Sequence, residues 1–246
     1  MDRGLYIAMS GAKEILLAQS VNANNLANAN TTAFRADLEQ ARSMPVFGPV
    51  HPTRAYAMTE RPAVDFKPGS LVTTGRDLDV AVHGEGWIAV QGRDGEEAYT
   101  RAGDLHVTPE GLLVTGSGFP VLGDGGPISI PPAEKVEIGD DGTVSAIPTG
   151  EVATGLAAVG RIKLVNPPLD ELDKFDQGLM RLKNGGAAEA SAEVTLVSGA
   201  LESSNVNSVG EMVSLIELAR QFEMQIKMMK TMEDNGAASA QLMRMT

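Results

Sequence analysis

Cysteine is absent from the 246 residues, which excludes disulfide cross-links, thiolate metal sites and cysteine nucleophiles while leaving the compartment open. Histidine is scarce, and His51, His83 and His106 are thin material for a metal enzyme. Aromatic residues make up 4%, with a single tryptophan, Trp87. Positive charge is in deficit: 20 Lys and Arg face 32 Asp and Glu, for a formal net charge of −12. Nucleic-acid affinity rests on Lys and Arg neutralising phosphates, and an acidic chain repels anionic lipid headgroups, so neither partner is expected. A secretory signal is not expected either, because the apolar stretch Gly4 to Met9 is short and lacks a convincing cleavage site. The longest charge-free run, Ile15 to Phe34, has the twenty residues of a bilayer span. It carries Gln19, Asn22, Asn24, Asn25, Asn28 and Asn30, whose amides are costly in lipid, so it is not read as a membrane helix.

Motifs of catalysis are equally wanting. There is no Gly-x-Ser-x-Gly elbow, no His-Glu-x-x-His and no Gly-x-Gly-x-x-Gly. Asp140-Asp141-Gly142 lacks the spacing of a calcium loop and reads as a turn, as does Gly84-Glu85-Gly86. The acidic run Asp170, Glu171, Asp173 and Asp176 beside Pro167-Pro168 reads as a solvated loop. No catalytic residue, metal ligand, cofactor or small-molecule substrate is expected.

What is present is a chain in three parts. All 13 prolines and 23 of the 27 glycines lie between residues 37 and 200. Proline breaks helix interiors and glycine weakens them, so the ends read as helical and the middle as turn-rich. Charge follows the same partition, with −11 in the middle, +1 in the N-terminal end and −2 in the C-terminal end. In the middle, short apolar and β-branched runs alternate with turn signals. Leu78–Val82, Trp87–Val90, Ala98–Thr100, Leu105–Val107, Leu112–Val114, Ile128–Ile130, Val136–Ile138, Ile162–Val165 and Val194–Val197 are predicted strands. Arg93-Asp94-Gly95-Glu96, Asp124-Gly125-Gly126-Pro127, Asp141-Gly142 and Asn184-Gly185-Gly186 are predicted turns.

The C-terminal end opens with Ser208-Val209-Gly210-Glu211, a serine and glutamate at capping-box spacing. Met212, Leu215, Ala219, Phe222, Ile226 and Met229 then alternate by three and four residues, the seam of a coiled coil. A helix from Val209 to Met243 spans roughly 50 Å at about 1.5 Å per residue. Leu5, Ala8, Ala12 and Ile15 keep the same spacing at the N-terminal end, and after the polar Asn22 the seam resumes at Leu26. Two helices with narrow apolar stripes either pair with one another or pack singly onto the β domain. The C-terminal one is long enough to overhang a β domain of ordinary size, which favours pairing. Seven of the 12 methionines lie from Met212 onward, and a Met-rich seam suits contacts with several non-identical neighbours.

Gln19 to Arg35 resembles the N-terminal signature of bacterial flagellar rod and hook axial proteins, an Asn-Asn-Leu-Ala-Asn core followed by Thr, a small residue, Phe and a basic residue. Here these are Asn24-Asn25-Leu26-Ala27-Asn28 and Thr32-Ala33-Phe34-Arg35, with Ala33 where the signature carries Gly. Phe66–Leu71, Thr74-Gly75 and Leu78–Trp87 are similar to the entry into that family's β domain, with Trp87 in place of Phe. Tyr99–Gly103 and Leu201–Asn207 follow in the family's order, and Met1–Ala12 is similar to its proximal rod members.

The resemblance implies a structural rod subunit, exported without a cleaved signal, whose terminal helices join a tubular α-helical core while the β domain packs outside. Its implied partners are other copies of itself, neighbouring rod proteins and the flagellar export apparatus, with localisation in the basal body. The expected fold is α+β: an N-terminal helix of the axial core over 1–36, an extended Pro-rich linker over 37–76, a β domain over 77–200, and a C-terminal helix over 201–246. The terminal helices are expected to pair into a coiled-coil core. The expected assembly interface is Leu5, Ala8, Ala12, Asn24, Asn25, Leu26, Asn28, Phe34, Met212, Leu215, Ala219, Phe222, Ile226 and Met229. A distal rod or hook paralogue and a free-standing β-domain binding module are the alternative readings.

Overall fold

In the computed structural model, residues 4–39, 41–45, 55–59, 63–148 and 157–244 are described. They fall into two compact units. Described residues of Met1–Ala29, Ala36–Asp65 and Val206–Thr246 form a mainly helical unit, and those of Asn30–Arg35 and Phe66–Asn205 form a β unit.

Two helices dominate the first unit: α1, Gly4–Ala27, and α2, Ser208–Arg244. With 37 residues α2 is about 55 Å long, close to the extent predicted from its apolar spacing. Its cap differs from the prediction. The Asn207 carbonyl accepts from the Glu211 N–H at 2.9 Å, and the Asn207 side-chain oxygen accepts from the Gly210 N–H at 3.1 Å. Asn207 is therefore the N-cap in place of Ser208, and the serine-glutamate pair sits one residue inside the helix. At the other terminus α1 stops at Ala27, short of the expected 36. Asn is a mediocre helix former, and the Asn28 and Ala29 N–H groups turn back onto Asn24, Asn25 and Leu26 carbonyls at 3.1–3.2 Å.

The two helices pack against each other in an antiparallel pair. Gly11 lies against the Gln225 amide, and half-burial on α2 runs from Ser208 to Met232, the span that an antiparallel α1 covers. Residues 233–244 of α2 are exposed throughout. A hairpin of Ala41–Pro45 and Ala55–Thr59 lies beside them, its second strand packed on α1. Asp37–Leu38 pairs with Ala63–Val64. His51, Pro49, Pro52 and Pro62 lie outside the described residues.

The β unit is built on a five-stranded antiparallel sheet in the spatial order Leu164–Val165, Trp87–Gln91, Glu97–Thr100, Met180–Leu182, Leu172–Lys174. Its central hairpin turns where predicted, at Asp94-Gly95, because Gly95 tolerates the φ of +85° that the turn demands. A three-stranded sheet of Ala133–Ile138, Thr143–Pro148 and Ala157–Arg161 and several two-stranded ladders complete the unit. Ile88, Val90, Leu105, Leu113, Val121 and Val144 fill one apolar core from both sides of these strands. Ile128–Ile130, predicted as a strand, forms only an isolated bridge. Pro127, Pro131 and Pro132 remove the donors that a regular ladder needs there.

Candidate assembly surfaces

The expected interface residues do not share one face. On α2, Leu215, Phe222 and Met229 lie on the half-buried face, together with Leu218, Gln225 and Met232. Met212 (53% exposed), Ala219 and Ile226 (46%) lie outside it. On α1, Ala8 and Ala12 are buried and Leu26 half-buried, while Leu5 is exposed. Periodicity alone could not make this division, since Leu218 and Ala219 both fall three or four residues from their apolar neighbours. The exposed members extend into a second stripe. Val209, Met212, Ile216 and Ala219 keep the three-four spacing along α2, with Ile226 two turns further on, and Leu5 and Met9 do so along α1, with Leu16 two turns further on.

The asparagines likewise separate. Asn25 is buried and grips the chain just beyond α1: its Nδ2 donates to the Asp37 carbonyl and its Oδ1 accepts from the Asp37 N–H, both at 2.9 Å. Both ends of that amide serve the fold. Asn28 donates from Nδ2 to the Asn24 carbonyl at 2.9 Å, closing the last turn of α1, and Asn24 is exposed. Asn22 is buried in α1 with its Oδ1 lacking a hydrogen bond among the described residues.

Phe34 and Arg35 belong to the β unit. The Lys174 ammonium lies 4.2 Å from the Phe34 ring centre and donates to the Arg35 carbonyl at 2.9 Å. The Arg35 guanidinium meets Glu202 at 2.6 Å, each side chain 1% exposed. Glu202 also accepts from Arg101 Nε at 2.7 Å and from the Gly69 N–H at 2.9 Å. Arg101 spends its other nitrogens on the carbonyls of Gly86, Val82 and Gly84. Burial pushes the Glu202 carboxyl up, but the Arg35 hydrogen bond and the charges of Arg101 and Arg35 outweigh it and hold the group below the usual carboxylate range. One carboxylate thus ties the segment after α1 to the strand before α2. Only Arg35 of this cluster falls within the recognisable N-terminal signature. Glu202 and Arg101 were legible as family positions without a role.

The remaining chemistry-bearing residues are dispersed. His83 and His106 are exposed on separate strands, Asp141-Gly142 is a hairpin turn, and Leu169–Glu171 is a single 3-10 turn. Among the described residues no three His, Cys, Asp or Glu side chains come together to hold a metal ion. Among the described residues no helix is long and apolar enough to cross a membrane.

Paired terminal helices that leave apolar stripes uncovered, joined to a β unit whose buried Arg35 and Arg101 are matched by Glu202, define a structural subunit built for association. Comparison with known proteins gives the family. The N-terminal residues 5–35 match the flagella basal body rod protein family, residues 81–146 the flagellar hook protein FlgE/F/G D1 domain, and residues 197–242 the flagellar basal body rod FlgEFG C-terminal family. The flagellar basal-body rod proteins FlgF of Escherichia coli and Salmonella typhimurium are each 42% identical over 252 aligned positions, covering 100% of both chains. The rod protein FlgG of Bacillus subtilis is 32% identical over 95% of this chain and 96% of its own. The chain belongs to the flagellar basal-body rod protein family.

Proposed function

We propose that the chain is a structural subunit of the flagellar rod that assembles with copies of itself and with other rod proteins through its terminal helices, forming the wall of a helical tube. One observation carries this reading: the second apolar stripe, with Leu5, Met9 and Leu16 on α1 and Val209, Met212, Ile216, Ala219 and Ile226 on α2, is exposed beside a helix pair that already has its internal face. Burying a half-exposed Leu, Ile or Met contributes on the order of 1 kcal/mol, so such a stripe gains most of its stabilisation from neighbours. Contacts of this kind between unlike faces propagate into a helical tube instead of closing into a ring. In this assignment Ala8, Ala12, Leu26, Leu215, Phe222 and Met229 hold the pair together, and Leu5, Asn24, Met212, Ala219 and Ile226 meet adjacent subunits. Asn25, Asn28 and Phe34 set the exit of α1 and reach the interface only through the shape they impose. The export apparatus, as the route by which an unassembled rod subunit reaches its site, is the remaining partner. Both helices lining that wall would continue the pair as a coiled coil with the helices of neighbouring copies.

Met212→Asp combined with Ile226→Asp tests the assignment. The double variant keeps the helix content and unfolding midpoint of the isolated chain, yet cells relying on it build no rod and do not swim. Swimming at the normal rate would refute the assignment. Phe222→Ala gives the opposite signature, lowering the stability of the isolated helical unit by about 2 kcal/mol.

A further inference from the structure

Between the strands of the β unit lies an open groove of about 620 Å³. At its base lies Trp87, 4% exposed, with Phe66 edge-on at 6.2 Å between ring centres and the Arg101 guanidinium 5.9 Å from its ring centre, and its rim carries Pro68, Leu71, Pro168 and Leu169. Leu71 is 50% and Leu169 47% exposed. The one cation at the floor, Arg101, has its nitrogens on Glu202 and on three backbone carbonyls, so the groove offers no free positive charge to an anion. Glu85 on the rim is exposed and makes no ion pair among the described residues. An aromatic floor with a proline and leucine rim and one unspent acid suits an extended peptide that carries proline and a basic residue.

The chain itself contains such a peptide. Gln40 to Thr59 holds no acidic residue in a molecule of net charge −12, and within it Val46-Phe47-Gly48-Pro49-Val50-His51-Pro52-Thr53-Arg54 combines two prolines, an aromatic and an arginine. Two prolines in nine residues reduce the conformational entropy lost when a peptide binds in extended form. We propose that the Trp87 groove of one subunit docks residues 46–54 of a second copy, with apolar side chains over Trp87 and Phe66 and Arg54 against Glu85. The inference rests on the rod-subunit reading, which makes copies of the chain neighbours.

Because Trp87 is the only tryptophan, its emission reports occupancy directly. Titrating the purified full chain with the synthetic 46–54 nonapeptide is expected to change that emission saturably, with half-saturation at about 0.1 mM. Leu169→Asp abolishes the change, Glu85→Lys weakens binding at least about threefold, and a peptide with both prolines replaced by alanine binds more weakly than the parent. No saturable change up to millimolar peptide, or an equal response to a scrambled peptide, overturns the proposal. In assembled rods, a photo-crosslinking residue at position 169 is expected to yield a dimer joined to residues 46–54. A cross-link within one chain, to another segment or to another protein overturns the choice of occupant. Motile cells without the dimer would overturn the groove and leave the rod reading standing, and the peptide titration decides without any rod at all.

Discussion

Ala33 offers the sharpest test of the backbone reasoning, because the expected sign runs against the usual one. Its φ is +54°, in the left-handed region, and its N–H donates to the Glu202 carbonyl at 2.8 Å. An L-residue held there loses about 1–2 kcal/mol relative to glycine. Ala33→Gly removes that strain, adds about 0.4–1 kcal/mol of unfolded-state entropy, and gives up part of a methyl's burial. The balance is a stabilisation of about 0.5 kcal/mol. Ala158→Gly is the control: it lies exposed in the strand Ala157–Arg161 of the same unit and is expected to lose about 0.5–1 kcal/mol. Urea unfolding followed by Trp87 emission reads both variants in one unit, and their midpoints should move in opposite directions. Ala33→Val should fall well below the parent, since a β-branched side chain fits positive φ worse than alanine. If Ala33→Gly loses as much as Ala158→Gly, the left-handed strain does not exist and the reasoning fails.

Glu202→Ala leaves Arg35 and Arg101 buried without their carboxylate and is expected to cost about 3–5 kcal/mol, read from the same urea midpoint; a loss below 1 kcal/mol would mean the cluster is solvated. The folded-state pKa of Glu202 is depressed, so its contribution is full above the ordinary carboxylate range and is lost as pH falls through the folded value. The parent should therefore lose more stability than Glu202→Gln between pH 5 and pH 3. Asp104 behaves in reverse: burial, reinforced by the neighbouring Asp79 charge, pushes its carboxyl up, so ionisation costs stability as pH rises through the raised value. Asp104→Asn should raise the melting temperature at pH 7 and lose that advantage near pH 3, and an advantage independent of pH would exclude the electrostatic cause. Assembly of the full chain should strengthen as ionic strength rises toward 0.15 M, where the Debye length falls to about 8 Å and screens repulsion between acidic β units. Sedimentation showing weaker assembly with salt would assign the interface to ion pairs instead.

The architecture was legible because proline, glycine and apolar spacing are local signals. The apolar spacing from Val209 to Met243 matches α2 within a residue at each end, although the wider segment 201–246 expected as helix begins with the end of the strand Ala200–Glu202, and the turns at Asp94-Gly95 and Asp141-Gly142 lie where the dipeptides placed them. Several strands escaped the sequence reading for one reason. Leu172–Lys174, Met180–Leu182 and Ala200–Glu202 are three residues long, too short for alternation to register; the first two pair with each other as a local hairpin, while Met180 also pairs with Tyr99 and Ala200–Glu202 with Leu71–Thr73, partners far away in sequence. The α2 cap was misplaced by one residue because serine and asparagine both cap helices, and only the hydrogen bond to Gly210 distinguishes Asn207 from Ser208. Arg101 and Glu202 were visible as letters, but a match between residues 101 positions apart requires the fold. The division of the helix seam into internal and exposed stripes was similarly hidden. A three-four pattern fixes the face to within about one residue in each turn, and Leu218 beside Ala219 straddles that tolerance.

The partition of charge separates the part of the chain that repels other copies from the part ready to associate. Residues 37–200 carry −11, whereas the two ends carry +1 and −2. Nearly neutral helices approach their neighbours with little like-charge penalty, and their exposed Met, Leu and Ile side chains adapt to faces that are not identical. The acidic segment keeps free molecules apart at a distance, where unshaped hydrophobic contact would otherwise lead to disordered aggregates. In the β unit Arg35 and Arg101 are matched by Glu202 and Lys163 by Glu97, so association does not require these pairs to break and re-form. Surface that is still unsatisfied is apolar and concentrated on the helices. The pair forms within one chain through its internal face, and burial of the exposed stripe adds stability only at the moment of contact between subunits, which makes assembly steeply dependent on subunit concentration.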